Sequence, residues 1–576
     1  MAKIGYFKDQ DGNGHYRIFA PFCDSLTIEL DKTHEKIELQ KDSNGYFDSK
    51  IKTLPNGTLY WLIKNNKDYL PDPTSKYQPF DVHSASQITE IEKVNNQNWK
   101  GIDYKDAIIY ELHIGTFTKE GNLKAAKERL SYIRTLGINV IELMPICAFP
   151  GDRNWGYDGT YMFALNSSYG NYKDLKDFIE EAHKFGIAVI LDVVYNHFGP
   201  EGNYSSMLAP FTKSADTPWG AAINFDEEYS EGIREFYLEN VKYWIQDVGF
   251  DGFRMDAIAL IFDKSPKHIL TEINELAKTI ENNEHRKIIM IGEHLRNESY
   301  VTSNDGYKFD SQWVDDLNYA IYSYLTKENF RHYKDFGSID DITKALNSGF
   351  VYDGTKLNSV YQNYMGEDGS KIEPSKMVVH IQNHDQVGNR PNGDRMIATY
   401  GIDKALLAIS IVFASPYIPM IFMGEEYGDV NPFLFFESFK DPYLIEAVRN
   451  GRKREFSFDE NFKPKEPHEV ETFIESKLNF DLLTNRENKF IFEYYQNLIA
   501  LKKQKIIGNS DRNKIDIKFN KGLLTIENQK SIVVCNMTET TLEIPEAYKA
   551  NKVLLKSNIN SSNKEIKGFS AEIFLR

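Results

Sequence analysis

Between Asp106 and Gly424 the chain repeats one texture: a short apolar run, a longer amphipathic stretch, then another apolar run. The runs are AIIYELHI, INVIELMP, IAVILDVVYNH, FDGFRMDA, KIIMIGEH, DSQWVDD, MVVHIQNHD and YIPMIFMG. Between them lie LKAAKERLSYIRTLG, YKDLKDFIEEAHKFG, FYLENVKYWIQDVG and HILTEINELAKTI. Apolar strands with helices between them mark a parallel sheet covered on its outer face. Eight such strands is the number that closes a (β/α)8 barrel, so the fold class predicted is an α/β TIM barrel. The uncharged stretch Ala405 to Gly424 has transmembrane length. Pro416 and Pro419 split it, so a buried helix followed by a buried strand is expected there instead.

The flanks read differently. At 576 residues the chain exceeds what one core usually supports. Segments such as HYRIFAP, SLTIELD and TLYWLIKN alternate in polarity and are bounded by Gly, Asn and Pro, the pattern of a small β-sandwich. LPDPTSKYQPFDVH, Leu70 to His83, reads as a linker packed on the barrel after it. Past about Tyr495 short strands return in KGLLTIENQ, KSIVVCNM and NKVLLKS. The predicted division is an N-terminal β-sandwich over 1–95, a barrel with loop insertions over 96–495, and a small C-terminal β domain over 496–576. YDGTYMFALNSSYGN, between the second and third strands, reads as an elaborated loop.

Composition narrows the partners. The 84 acidic and 68 basic residues leave a formal charge of -16, which argues against nucleic acid, whose phosphates need a basic footprint. It also gives no reason to expect an anionic membrane surface. Cys23, Cys147 and Cys535 are far apart and lack metal-ligand spacing, so no disulfide framework is implied. The N-terminus shows no apolar signal-peptide core. A cytoplasmic protein with a neutral small-molecule ligand is expected, and its oligomeric state is not legible.

In a closed barrel the strand ends line one rim, where active sites sit. Strand three ends in Asn196 and His197, strand four in Arg254 and Asp256, strand five in Glu293, and strand seven in His384 and Asp385. Arg254 and Asp256, two residues apart on a strand, should project from the same face. Three acids in one cavity repel each other and are costly to bury, so stability explains them poorly. A metal site would use similar residues, but no H-x-x-x-H or H-x-H spacing occurs among them. A retaining glycosidase needs one carboxylate nucleophile and one protonated carboxylic acid. Arg254 would favour ionisation of Asp256, whereas Glu293 would need a raised pKa to donate a proton. Asp385, His197 and His384 could bind the hydroxyls of the distorted sugar. Tyr157 and Asp158 lie on a loop above the rim, where an aromatic ring can stack on a sugar face.

With those residues in place, the chain resembles the α-amylase family of glycoside hydrolases. The matching motifs, in order, are DVVYNH, GFRMDA, GEH and QNHDQ. The resemblance implies Asp256 as nucleophile, Glu293 as general acid/base and Asp385 as transition-state stabiliser. It implies Tyr157, Asp158, His197, Arg254 and His384 as the substrate-binding residues around the reacting glucose. Within the family the chain looks most like the maltooligosyltrehalose trehalohydrolases, through LPDPTSKYQP, YELHIGTFTKEGNL, FPGDRNWGYDG, QWVDD, QNHDQVGNR and AVRNGRKREF. By that resemblance the substrate is an α-glucan or maltooligosyltrehalose, from which trehalose is released, and the N-terminal sandwich is a carbohydrate-binding-like domain. After QWVDD the subgroup continues with a Phe and two His, whereas this chain has Leu317, Asn318 and Tyr319. If that segment lines the leaving-group side of the cleft, the change bears on trehalose recognition and not on bond cleavage.

Two other readings use the same residues. A plain α-amylase or a branching transglycosylase shares the triad, because water and a sugar hydroxyl compete for one covalent intermediate. A non-catalytic glucan-binding scaffold on a degenerate barrel would have no need for Asp256, Glu293 and Asp385 together. Proton transfer and covalent catalysis by carboxylates need no cofactor, and no catalytic metal is expected. A structural calcium beside the acidic loop is left open.

Overall fold

The computed structural model describes residues 3–95, 98–456, 465–508, 511–562 and 564–576. The boundary expected at 95/96 abuts residues 96–97, which lie outside that set. All eight apolar runs are strands, hydrogen-bonded in parallel into a closed barrel. They are β1 (Ile109–Leu112), β2 (Val140–Leu143), β3 (Ala188–Val193), β4 (Gly252–Met255), β5 (Ile289–Glu293), β6 (Ser311–Trp313), β7 (Met377–Val379) and β8 (Ile418–Phe422).

Alternation along these strands builds the interior in layers. Ile109, Val140, Ile190, Ile291, Val378, Ile418 and Met420 share one apolar cluster at the base. Two residues further along, on the same faces, come Glu111, Glu142, Asp192 and Glu293, while Arg254 follows Gly252 on β4 by the same step. The floor is therefore hydrocarbon and the layer above it is charged. Register fixes the neighbours: Glu111 opposes Glu142, Asp192 opposes Arg254, and Glu293 opposes Trp313. Gly252 permits this placement of β4. Its φ is +138°, and a Cβ there would sit 1.8 Å from the Ile289 carbonyl oxygen.

Helices cover the outside. Tyr172–Lys184 is typical, opened by a capping box between Asn171 and Asp174 and burying Leu175, Phe178, Ile179 and Ala182. The stretch from Ala405 resolves as the helix Ile402–Ala414 followed by β8. Among the described residues no helix is long and apolar enough to cross a membrane.

The N-terminal region is two antiparallel sheets around one cluster that includes Tyr16, Ile28, Phe47, Tyr60 and Leu62. The linker after it is buried at Asp72, Thr74 and Ser75. Its Tyr77–Gln78 pairs in parallel with Leu165–Asn166, while Cys147–Ala148 pairs antiparallel with the same strand, Tyr161–Asn166. The elaborated loop and the linker are thus one small sheet seated beside the barrel rim. At the other end the long helix Arg486–Lys503 leads into a five-stranded antiparallel sheet, with a two-stranded sheet beside it.

Candidate active site

Arg254 organises the charged layer. Its side chain is fully buried and its guanidinium lies 4.1 Å over the Trp313 ring. Nη1 donates to Asp192 Oδ1 and Oδ2 at 2.8 and 2.7 Å and to Asp256 Oδ1 at 2.9 Å. Nη2 is 2.9 Å from Glu293 Oε2. One cation therefore joins carboxylates carried by β3, by the end of β4 and by β5.

Asp256 is held from a second side by Asn196, whose Nδ2 donates to Asp256 Oδ2 at 2.8 Å and to its carbonyl at 3.0 Å. The next residue, Ala257, has φ +39°, a conformation that non-glycine residues rarely adopt and that collects at functional sites. That turn aims the Ala257 N–H at Glu293 Oε2, 2.8 Å away. Asp256 and Glu293 are thus connected through Arg254 and through one backbone step.

Their acidities follow from the surroundings. Burial raises the Glu293 carboxyl; Arg254 opposes the rise and Asp256 and Asp385 add to it, leaving it at about 8. At Asp256 burial also raises the carboxyl, against the pull of Arg254. Arg254 pulls the Asp256 carboxyl down as expected, but desolvation outweighs the guanidinium, so the net shift is upward and not the lowering that the sequence suggested. Two carboxyls this close cannot both ionise readily. Near neutral pH Glu293 carries a proton.

Asp385 lies in the first turn of the short helix His384–Gly388 after β7 and leaves 43% of its side chain exposed toward the cleft. Asn389 Nδ2 donates to its Oδ1 at 2.9 Å, and its charge is felt at both Asp256 and Glu293. His384 is buried beside it, stacked on Tyr157 with centroids 5.0 Å apart. Tyr157 in turn donates to Asp192 Oδ2 at 2.6 Å. His197 hydrogen-bonds Asn196 and stacks on Trp219 at 5.5 Å. Burial holds its pKa down at about 4, so it is neutral at ordinary pH.

The seven residues Asp256, Glu293, Asp385, Arg254, His384, Tyr157 and His197 therefore share one network. Asp158 has its bond outside that network: it accepts from Asn154 Nδ2 at 2.6 Å, and burial, with the charge of Glu437 adding to it, raises its carboxyl to about 6.

The expectation of three convergent carboxylates undercounts the site. Glu111, Glu142 and Asp192 belong to the same interior layer, as does Trp313. The available signal was an acid inside an otherwise apolar run, in YELHI, IELMP and ILDVV. No Glu142 carboxylate oxygen has a hydrogen-bond partner, and burial, with the charge of Glu111 beside it, pushes its carboxyl well above the usual carboxylate range. Among the described residues no group of three or more His, Cys, Asp or Glu is arranged to hold a metal ion.

On the Glu293 side the rim opens into a cavity of about 360 Å³, bordered by Trp219, Leu295, Tyr319, His332 and Arg390. The departing segment after QWVDD contributes less to it than expected. Leu317 is fully buried in the main core, and Asn318 is buried with its Nδ2 on the Ile381 carbonyl. Tyr319 alone reaches the cavity, stacked on His332 at 5.4 Å.

The α-amylase catalytic-domain profile matches residues 83–219 and 223–510. The chain belongs to the α-amylase family. It is 39% identical to the malto-oligosyltrehalose trehalohydrolase of Saccharolobus solfataricus, over 98% of this chain and 99% of that one. The enzyme of the same name from Rhizobium sp. (strain M-11) is 36% identical, over 86% of each chain. A crystal structure from Salmonella typhimurium, of a protein assigned as an α-amylase, superposes with TM-score 0.91 and 32% identity, covering 100% of both chains. As in other members of this family, glycoside hydrolysis is the chemistry to which the barrel rim must be fitted.

Proposed function

We propose that this chain is a retaining α-glucan hydrolase that releases trehalose from maltooligosyltrehalose. Asp256 is the nucleophile, Glu293 the general acid/base and Asp385 the stabiliser of the transition state. The observation that carries the reading is the guanidinium of Arg254, which contacts Asp256 and Glu293 at once and holds them side by side. Retaining glycosidases use carboxyls about 5–5.5 Å apart, without room for a water between them and the sugar.

Glu293 gives its proton to the glycosidic oxygen as that bond breaks. An Asp256 oxygen bonds the anomeric carbon, forming a glycosyl ester. The leaving group departs into the cavity bordered by Trp219, Tyr319 and His332. Water then attacks the anomeric carbon, Glu293 takes its proton, and Asp256 is freed. Tyr157 and His384 form the wall of the subsite for the reacting glucose. Asp158 is assigned to the rim outside that contact shell, on the strength of its bond to Asn154.

The trehalose end is supported by likeness to the trehalohydrolases over nearly the whole chain. The burial of Leu317 and Asn318 adds to it, because it removes most of the departing segment from the cleft. Full-length likeness to a protein assigned as an α-amylase favours plain α-1,4 hydrolysis as the second reading. Purified protein should be given maltopentaose and maltotriosyltrehalose in parallel, with products separated by chromatography. Free trehalose from the second substrate, with maltopentaose cut much more slowly, is expected. Equal rates on both, with no trehalose formed, would put the α-amylase reading in its place.

A further inference from the structure

We propose that Glu111, on the first barrel strand, is a positioning residue that keeps His384 as an imidazolium clamped between two carboxylates and so fixes Asp385. The bond-breaking steps make no use of Glu111, and the inference rests on the assignment of Asp385 as stabiliser.

Both Glu111 oxygens are committed to one residue. Oε1 lies 2.5 Å from His384 Nδ1, and Oε2 accepts the His384 backbone N–H at 3.0 Å. The other ring nitrogen, Nε2, is 3.6 Å from Asp385 Oδ1. A neutral imidazole carries one N–H and one lone pair. Nδ1 is hydrogen-bonded to Glu111 and Nε2 lies within ion-pair distance of Asp385, so two protons on the ring place positive charge toward both carboxylates and leave no lone pair facing either one. The ring cannot turn away, since Tyr157 stacks on one face at 5.0 Å and the Trp155 edge approaches at 5.6 Å. The backbone contact matters equally. His384 begins the helix that carries Asp385, and a first-turn N–H has no partner within the helix. Glu111 supplies that partner from β1, on the far side of β8.

The groups facing His384 are Glu111 and His113 from β1 and its end, Glu142 from β2, Asp192 from β3, Arg254 from β4, Tyr157 from the rim loop and Asp385 beside it. Burial pulls the imidazolium down, but Glu111 and then Asp385 outweigh it and lift the ring to about 9.

The test begins with the unaltered enzyme. Nitrogen chemical shifts of labelled histidine, followed with pH, should show the His384 ring doubly protonated at pH 7.5. In Glu111→Gln, which keeps the volume and one acceptor, its titration should move down by at least about one pH unit. There kcat on the better of the two substrates should fall roughly 10- to 100-fold, the effect of one charged hydrogen bond. KM should change less, and the alkaline loss of activity should begin at lower pH. Glu111→Asp, which keeps the charge, should restore the shape of the profile. A His384 ring that is neutral at pH 7.5 in the unaltered enzyme overturns the proposal. So does a Glu111→Gln loss that is uniform with pH. Turnover surviving in Asp385→Asn would remove the assignment of Asp385 while leaving the nitrogen titration to judge the clamp.

Discussion

Arg254 shows how one side chain sets several functions. It neutralises Asp192, orients Asp256 and opposes the rise at Glu293, all from a fully buried position. The proton on Glu293 is the consequence that can be measured. Its carboxyl, raised to about 8, is protonated below that pH and ionised above it. Because the acid acts in its protonated form, kcat/KM should hold through neutral pH and fall as the pH rises through about 8. Glu293→Gln keeps the shape and removes the transferable proton. Turnover should drop roughly 10²- to 10⁴-fold, the usual contribution of a positioned acid, while calorimetry still detects glucan binding. An alkaline limb that persists in Glu293→Gln would assign it to another group. At this scale the sequence was informative where contacts are local: Arg254 and Asp256 are neighbours through strand period alone. The Arg254–Asp192 pair depends on the register of β3 against β4, and the acidity of Asp256 depends on burial. Neither has a local signature.

The helix Asp316–Thr326 separates packing from recognition within three residues. Leu317 and Asn318 face inward and Tyr319 faces the cavity, so a departure that looked like a change in specificity is mostly a change in core composition. Leu317→Ala should cost about 2–5 kcal/mol of stability and leave the ratio of trehalose to maltose products unaltered. Tyr319→Ala should leave the melting temperature nearly in place and raise KM for maltotriosyltrehalose more than for maltopentaose. If Leu317→Ala shifts the products and Tyr319→Ala does not, the inward assignment is wrong. Elements with a strong period were legible: all eight apolar runs became barrel strands, and the stretch split by Pro416 and Pro419 became a helix and β8. The pairing of Tyr77–Gln78 with Leu165–Asn166 was not legible. It joins segments almost ninety residues apart, about which neither segment's pattern carries information. Glu111 and Glu142 stayed hidden for a related reason, since an acid in an apolar strand draws no notice until the strand closes into a ring.

Across the whole molecule, closing that ring leaves acids buried at the seam between β8 and β1. Glu425 accepts from Tyr495 of the last long helix at 2.8 Å, and Glu426 accepts from Tyr110 of β1 and Tyr132 at 2.9 and 2.7 Å. The pair therefore ties the end of the barrel to its beginning and to the helix leading into the C-terminal sheet. Burial raises both carboxyls from 4.5 to about 7. A raised folded-state value means that the native state holds these protons more tightly than the unfolded chain does. Their contribution is fully present below about pH 4.5 and is lost as the pH rises through about 7. The loss is on the order of 3–4 kcal/mol per group. Lys502 acts in the opposite sense at higher pH. Burial lowers it to about 7, so the neutral folded form gains stability as the pH climbs from there toward the ordinary lysine range. Replacing Glu425 and Glu426 by Gln leaves acceptors for the tyrosines and removes the titration. Thermal unfolding of the double variant should match the unaltered protein near pH 5 and exceed it by a growing margin up to pH 8. Melting curves that stay parallel over that range would show that the seam does not release protons on unfolding. The pH dependence of the fold would then have to come from the charged layer around Arg254 instead.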